Sequence, residues 1–208
     1  MFRGTTMGRA ALTAALALSA MPMAAGAQPP GDVFEVNYYA NANTPGVTAD
    51  ATVRITNPGT NGAPSPVGDL CALIYVFSAD QQLAECCGCK VTPNGLRTLS
   101  VANDLTSNPL TPVTLNTGAI KIVSSAPAST GLCDPTAPIP TPELIAWATH
   151  VQTPTSSSTG VVTETAFEDA TLSAAELGVL TEKCTDIGDN GSGHGVCSCG
   201  VEPTGSGN

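Results

Sequence analysis

Basic residues are scarce in this chain. Seven lysines and arginines stand against seventeen aspartates and glutamates in 208 residues, a formal net charge of −10. Five of those basic residues follow residue 27: Arg54, Lys90, Arg97, Lys121 and Lys183. Nucleic acids and anionic lipid surfaces are bound through clusters of lysine and arginine, which this sequence lacks. We therefore expect no nucleic-acid partner and a solvated acidic surface.

Aromatic residues, histidines and long apolar runs are also few. Aromatics make up 4% of the residues, which predicts a modest core, and there are two histidines, His150 and His194. No apolar run is long enough to span a membrane. The sequence contains no phosphate-binding glycine loop, zinc-protease helix motif, dinucleotide fingerprint or complete nucleophile-elbow motif. It therefore provides no candidate catalytic residue, metal ligand or cofactor, which favours a protein that is not an enzyme without deciding the question.

The first recognisable feature of the sequence is an export signal over residues 1–27. Arg3 and Arg9 precede an apolar run over 10–21, and Ala25-Gly26-Ala27 supplies the small residues that a signal peptidase requires. We expect cleavage before Gln28 and release of one β-rich domain over 28–208, with a cysteine-rich C-terminal extension over about 168–208. This places the protein in a periplasm or outside the cell.

All the cysteines follow that signal, and an even number in an exported chain predicts a disulfide framework. The eight candidates are Cys71, Cys86, Cys87, Cys89, Cys133, Cys184, Cys197 and Cys199. Cysteines two apart on an extended strand cannot easily bridge, so we expect different partners for Cys197 and Cys199. In one possible pairing, Cys184 bonds to either Cys197 or Cys199, and the remaining member of that pair bonds to a cysteine of the Cys86/Cys87/Cys89 cluster. A bond between the adjacent Cys86 and Cys87 is a second possibility.

Two alternative chemistries use the same cysteines. With His194, the cysteines at 86, 87, 89, 197 and 199 offer the ligand types of a zinc site, although the Cys-Cys-Gly-Cys run departs from the spacing of zinc knuckles. A redox role for the Cys86/Cys89 pair would require a neighbouring thioredoxin-like pattern, which is missing. The disulfide interpretation is the simpler one.

Strand patterns dominate the chain before residue 125. Alternating residues over 51–57 place Ala51, Val53 and Ile55 on one face, and the segment 69–77 is apolar on both faces, as in a covered central strand. Further strands are predicted for the ranges 33–39, 83–87, 96–101 and 119–124, and after residue 125 for 145–151 and 161–167. Thr141-Pro142-Glu143 also offers a helix start, but the alternation of Ile145, Trp147, Thr149 and Val151 favours a strand. The range 125–142, rich in proline and serine, predicts an ordered loop pinned by Cys133.

The Asn57-Pro58-Gly59 turn, the two-faced strand at 69–77 and the threonine-rich segments resemble an immunoglobulin-like β-sandwich. The resemblance implies a mainly β protein of two packed sheets, to which the sequence adds one C-terminal helix and disulfide-stapled cysteine-rich loops. A sandwich architecture by itself implies no particular activity.

One helix is predicted, over 174–187. Ser173 and Glu176 form a capping box, Leu177, Leu180 and Cys184 follow at helical spacing, and Gly188 is expected to end the helix.

The acidic residues suggest two further functions. Glu164, Glu168 and Asp169 offer neighbouring carboxylates, as a secreted hydrolase would require. Asp186, Asp189 and Asn190 offer oxygen ligands for calcium, although their spacing departs from the usual calcium loop. Asn190-Gly191-Ser192 is a formal glycosylation sequon.

The leading functional hypothesis is a non-enzymatic binding, adhesive or surface-structural module with an unknown extracellular ligand. Its alternatives are the acidic hydrolase and the Cys/His metal protein.

Overall fold

The computed structural model describes Met1 and residues 33–44, 51–152 and 160–200. The export signal predicted over 1–27 lies outside this part of the chain, apart from Met1. The strands are β1 Phe34–Tyr39, β2 Thr52–Thr56, β3 Leu70–Ser78, β4 Leu83–Val91, β5 Leu96–Ser100, β6 Gly118–Ser125, β7 Ile145–Gln152, β8 Val161–Ala166 and β9 Glu168–Asp169, and the helix α1 is Ala174–Asn190. The predicted mainly β fold with one C-terminal helix is confirmed.

The strands form two antiparallel sheets in a sandwich-like arrangement. The first sheet has the order β4-β3-β6-β1-β9, and the second has the order β5-β2-β7-β8. In the second sheet, Val53 lies opposite Leu99 on one side and Ala148 on the other. These three side chains are buried between the sheets, as the period-two pattern predicted.

Strand β3 is covered on both faces, as its sequence predicted. Ile74 and Val76 belong to the core cluster that lies between the two sheets. Leu73 and Tyr75 point the other way, into a second cluster with Leu180 of α1. The helix therefore forms a third layer on the outer face of the first sheet.

Helix α1 begins as predicted but ends later. The Ser173 hydroxyl accepts a hydrogen bond from the backbone N–H of Glu176 at 3.0 Å, which is half of the predicted capping box. The Glu176 carboxylate instead binds Lys121 Nζ on β6. The helix continues through Gly188 to Asn190, because Ile187 is buried against the sheet and its carbonyl accepts from Gly191 N.

Two short elements differ from the sequence prediction. The strand expected over 96–101 ends at Ser100, whose hydroxyl caps a single wide helical turn over Val101–Leu105. The strand expected over 161–167 divides at Phe167, and β9 continues in the other sheet by pairing with β1. Phe167 is buried at this crossing.

Candidate functional site

The expected disulfide framework is present, and no described cysteine is free. Three of the four bonds start on β4. The pairs are Cys71–Cys133, Cys86–Cys184, Cys87–Cys197 and Cys89–Cys199, with Cα–Cα distances of 5.4, 6.0, 5.3 and 5.4 Å. These distances lie in the normal range for disulfides.

The pairing confirms one expectation and corrects two. Cys197 and Cys199 have different partners, as predicted. Cys184 does not bond to either of them, because α1 packs on the outer face of the first sheet, where Cys86 points. The adjacent Cys86 and Cys87 do not bond to each other, since alternation along β4 sends their side chains to opposite faces.

The C-terminal segment lies alongside β4 in a parallel sense. Cys86 N donates to Gly195 O at 2.8 Å, and a parallel bridge joins Cys86 to Val196. This arrangement places Cys197 and Cys199 opposite Cys87 and Cys89 in turn. The segment therefore covers the outer edge of β4, which would otherwise be a free sheet edge.

The sulfurs of Cys87, Cys89 and Cys199 lie within 4.8 Å of one another, which is close enough for a metal cluster. All three are committed to disulfides, so they offer no thiolate to a metal ion. His194 lies elsewhere, with its Nδ1 3.0 Å from Asn108 Oδ1. The ligands of the metal alternative are therefore engaged in other interactions.

The three carboxylates of the hydrolase alternative are divided between the two sheets. Glu164 on β8 forms an ion pair with Arg54 at 2.9 Å. Glu168 and Asp169 are exposed on β9, which pairs with β1 in the other sheet. Among the calcium candidates, Asp186 lies inside α1 and Asn190 is its last residue, so they belong to a regular helix rather than to a loop.

His150 forms a small cluster where the two sheets meet. Its side chain is buried and stacks on the Tyr38 ring, with centroids 4.1 Å apart. Its Nε2 lies 3.0 Å from Thr165 Oγ1, and its Nδ1 is buried with no partner among the described residues. Burial lowers the pKa of His150, so the fold favours the neutral imidazole. The cluster closes one edge of the sandwich.

We expect His150 to reduce stability in acid. Its pKa is lower in the folded chain than in the unfolded chain, so the unfolded chain takes up the proton first as the pH falls below about 6.5. A His150→Gln variant should therefore lose less stability than the wild type between pH 7 and pH 5. Urea unfolding of both proteins across this range measures the difference, and parallel curves would contradict the prediction.

A cleft lies at one end of the first sheet. It has a volume of about 590 Å³ and lies between the β3–β4 turn and the loop that precedes β6. We call it the end cleft. Its turn side includes Ser78, Asp80 and Gln82, and its loop side includes Thr111, Thr114 and Thr117.

Hydrogen bonds to the backbone hold the two sides of the end cleft in place. In the turn, Ser78 N donates to Gln82 O at 2.9 Å. The loop is fixed to β4 by Leu110 N, which donates to Ala84 O at 2.9 Å. On its other side, Asn43 Nδ2 donates to Leu115 O at 2.8 Å.

Neutral polar groups and aliphatic groups line the end cleft. The side chains of Thr111, Thr114, Thr117 and Gln82 form no hydrogen bond with another residue in the described ranges, and all four are exposed. The aliphatic surface comes from Leu83, Leu110, Val113 and Leu115. The charged side chain in this lining is Asp80, whose pKa is lowered by a hydrogen bond from the Ser78 hydroxyl. No sequence motif marks this site, because its lining residues are common loop residues.

Comparisons with known protein families, characterised proteins and solved structures found no match for this chain. Within the described ranges, no helix combines the length and apolar composition needed to cross a membrane. The four disulfides indicate an oxidising compartment.

Proposed function

We propose that this chain is an exported, non-enzymatic binding module whose end cleft holds an uncharged, hydroxyl-rich ligand such as a neutral oligosaccharide. The signal predicted over 1–27 supports export, and the loops at the end of the sandwich support a binding role. The acidic surface disfavours nucleic acid as a partner.

The lining of the end cleft is the observation that carries this proposal. Exposed hydroxyl and amide groups without protein partners are free to exchange hydrogen bonds with a ligand. Aliphatic side chains between them suit the C–H faces of a sugar ring, and pockets with this mixture of apolar surface and a few polar groups are typical of small-ligand sites. The lining contains no lysine or arginine to attract an anionic ligand.

The strand order supports an immunoglobulin-like architecture for the five strands β2–β6. In immunoglobulin domains strand B pairs with E, and C lies between C′ and F. Here β2 pairs with β5, and β3 lies between β4 and β6. The flanking strands differ, since β1 lies beside β6 in the place of G and β7 lies beside β2 in the place of A.

The contacts of the acidic residues favour binding over hydrolysis. A glycosidase needs two carboxyl groups that face each other across a substrate. Glu164 is paired with Arg54, and the β9 carboxylates lie on the other sheet. The Cys/His metal role is disfavoured for a similar reason, because its thiols form disulfides.

A Thr114→Val, Thr117→Val double variant tests the end cleft. Valine keeps the size of threonine and removes the hydroxyl, so the change removes two ligand hydrogen bonds worth about 1 kcal/mol each. We expect the wild type to bind members of a panel of neutral oligosaccharides by calorimetry. The double variant should bind the same sugars about tenfold or more weakly.

The matched control is a Thr98→Val, Thr171→Val variant, which removes two exposed hydroxyls outside the end cleft. It should bind like the wild type. Binding of sulfated or sialylated sugars alone, or equal weakening in both variants, would rule out the proposed site.

A further inference from the structure

Glu85 is a buried carboxyl group in the core of the sandwich. It lies on β4 opposite Val76 of β3, on the same side as Cys87 and Cys89, and its side chain is 0% exposed. Its Oε1 accepts a hydrogen bond from Asn108 N at 2.9 Å. Its Oε2 is buried with no partner among the described residues. A charge in this position is poorly solvated and only partly compensated.

The partner of Glu85 connects three parts of the molecule. Asn108 Nδ2 donates to Gly193 O at 2.9 Å and to Val196 O at 3.3 Å, and Asn108 O accepts from Gly195 N at 2.7 Å. Asn108 therefore fixes the C-terminal turn over 191–197. Two residues later, Leu110 begins the loop side of the end cleft. A change in the protonation of Glu85 can therefore affect both the C-terminal turn and the end cleft through Asn108.

We propose that Glu85 is a proton-dependent latch: its neutral form keeps the loop 108–117 packed on β4, and its ionised form admits water and releases that loop. The step is loss of the carboxyl proton to solvent, which leaves a carboxylate beside Val76 and Asn108. The latch itself is a property of the fold. Its effect on ligand release rests on the function proposed above for the end cleft.

The electrostatics support a switch in the neutral range. Burial raises the pKa of Glu85 to about 7, and the hydrogen bond from Asn108 offsets this effect only in part. None of the described residues forms an ion pair with it. The folded chain therefore holds a proton that the unfolded or opened chain loses, so the closed state weakens as the pH rises through about 7.

The effects of the other titratable groups near Glu85 can be distinguished from the ionisation of Glu85 itself. Tyr39 on β1 has its pKa raised by burial and then by the charges of Glu85 and Asp80, so it stays neutral through this range. Asp80 in the β3–β4 turn has a lowered pKa and stays ionised. Asp104 in the helical turn accepts from Ser100 N. His194 lies with its Nδ1 3.0 Å from Asn108 Oδ1, so a variant at this position serves as a control.

Amide hydrogen exchange of the full chain with its disulfides intact tests the latch without any ligand. From pH 5.5 to 8.5, protection factors corrected for intrinsic exchange should fall for residues 106–117 and 191–197. The fall should be about tenfold per pH unit up to about pH 7 and should level off above it, where the carboxyl group is ionised in both states. Protection in β3 and β6 should stay constant. The Glu85→Gln variant should remove the fall, while the exposed Glu182→Gln and the His194→Gln variants should keep it.

A wild-type profile that is flat across this range overturns the latch, whether or not the Glu85 variant folds. A fall in protection that persists in the Glu85→Gln variant, or that is lost in the His194→Gln variant, also overturns the latch. Because this readout needs no sugar, failure of the binding proposal leaves it intact. If both proposals hold, a neutral oligosaccharide bound at pH 6 should be released above pH 8 by the wild type and retained by Glu85→Gln.

Discussion

A Cys86→Ala, Cys184→Ala double variant should lose about 3 kcal/mol of the free energy of unfolding. The bond between these residues spans a sequence separation of 98. Because Cys87–Cys197 remains in the variant, this bond closes a shorter path of about fourteen residues through that disulfide, which restricts the unfolded chain by about 3 kcal/mol on the chain-entropy argument. The same bond fixes the middle of α1 to β4, so helical signal by circular dichroism should also fall before the sheets unfold. Denaturant titration followed by both probes measures the two effects.

The matched control removes Cys71–Cys133, which closes a separation of 62 and joins β3 to a loop. Its loss of stability should be of similar size, about 4 kcal/mol. Its helical and sheet signals should still change together. If the two variants unfold in the same way, α1 is held by packing rather than by its disulfide, and the account of the helix is wrong.

Leu180→Ala should cost about 3 kcal/mol, the usual range for a buried leucine being about 2–5 kcal/mol. Leu180 is 0% exposed and lies against the outer face of the first sheet. The neighbouring Val179 is 43% exposed, which makes Val179→Ala the matched control on the same helix. That change should alter stability by less than about 0.5 kcal/mol. Urea unfolding of the oxidised variants compares the two, and equal losses would show that the helix face is assigned wrongly.

The sheets were predictable from sequence because their strands carry local patterns. The alternation in β2 and the apolar run of β3 each specify burial without knowledge of the partner strand. Gly188 misled the prediction of the helix end because a glycine in a helix costs only about 1 kcal/mol, which docking of Ile187 can offset. In the sequence, Phe167 belongs to an uninterrupted strand pattern. The division of that segment between the two sheets at Phe167 depends on contacts that the sequence pattern does not contain.

The disulfide pairing and the end cleft depend on contacts between distant residues. Cys87 and Cys89 find their partners because the C-terminal segment runs beside β4, and no short-range pattern predicts that placement. The end cleft forms between two loops with ordinary loop composition. Glu85 could have been noticed in the sequence, because the period of two along β4 places it on the same face as Cys87 and Cys89. A carboxylate on a core face is a candidate for an altered pKa.

The central claim is that four specific disulfides hold this fold together, and a count of thiols by mass spectrometry tests it most directly. Protein purified without reductant, denatured and alkylated should gain no label, and it should gain eight labels after reduction. Peptide mapping should recover Cys71–Cys133, Cys86–Cys184, Cys87–Cys197 and Cys89–Cys199. Labelled cysteines in the unreduced protein, or a different set of linked peptides, would contradict the account.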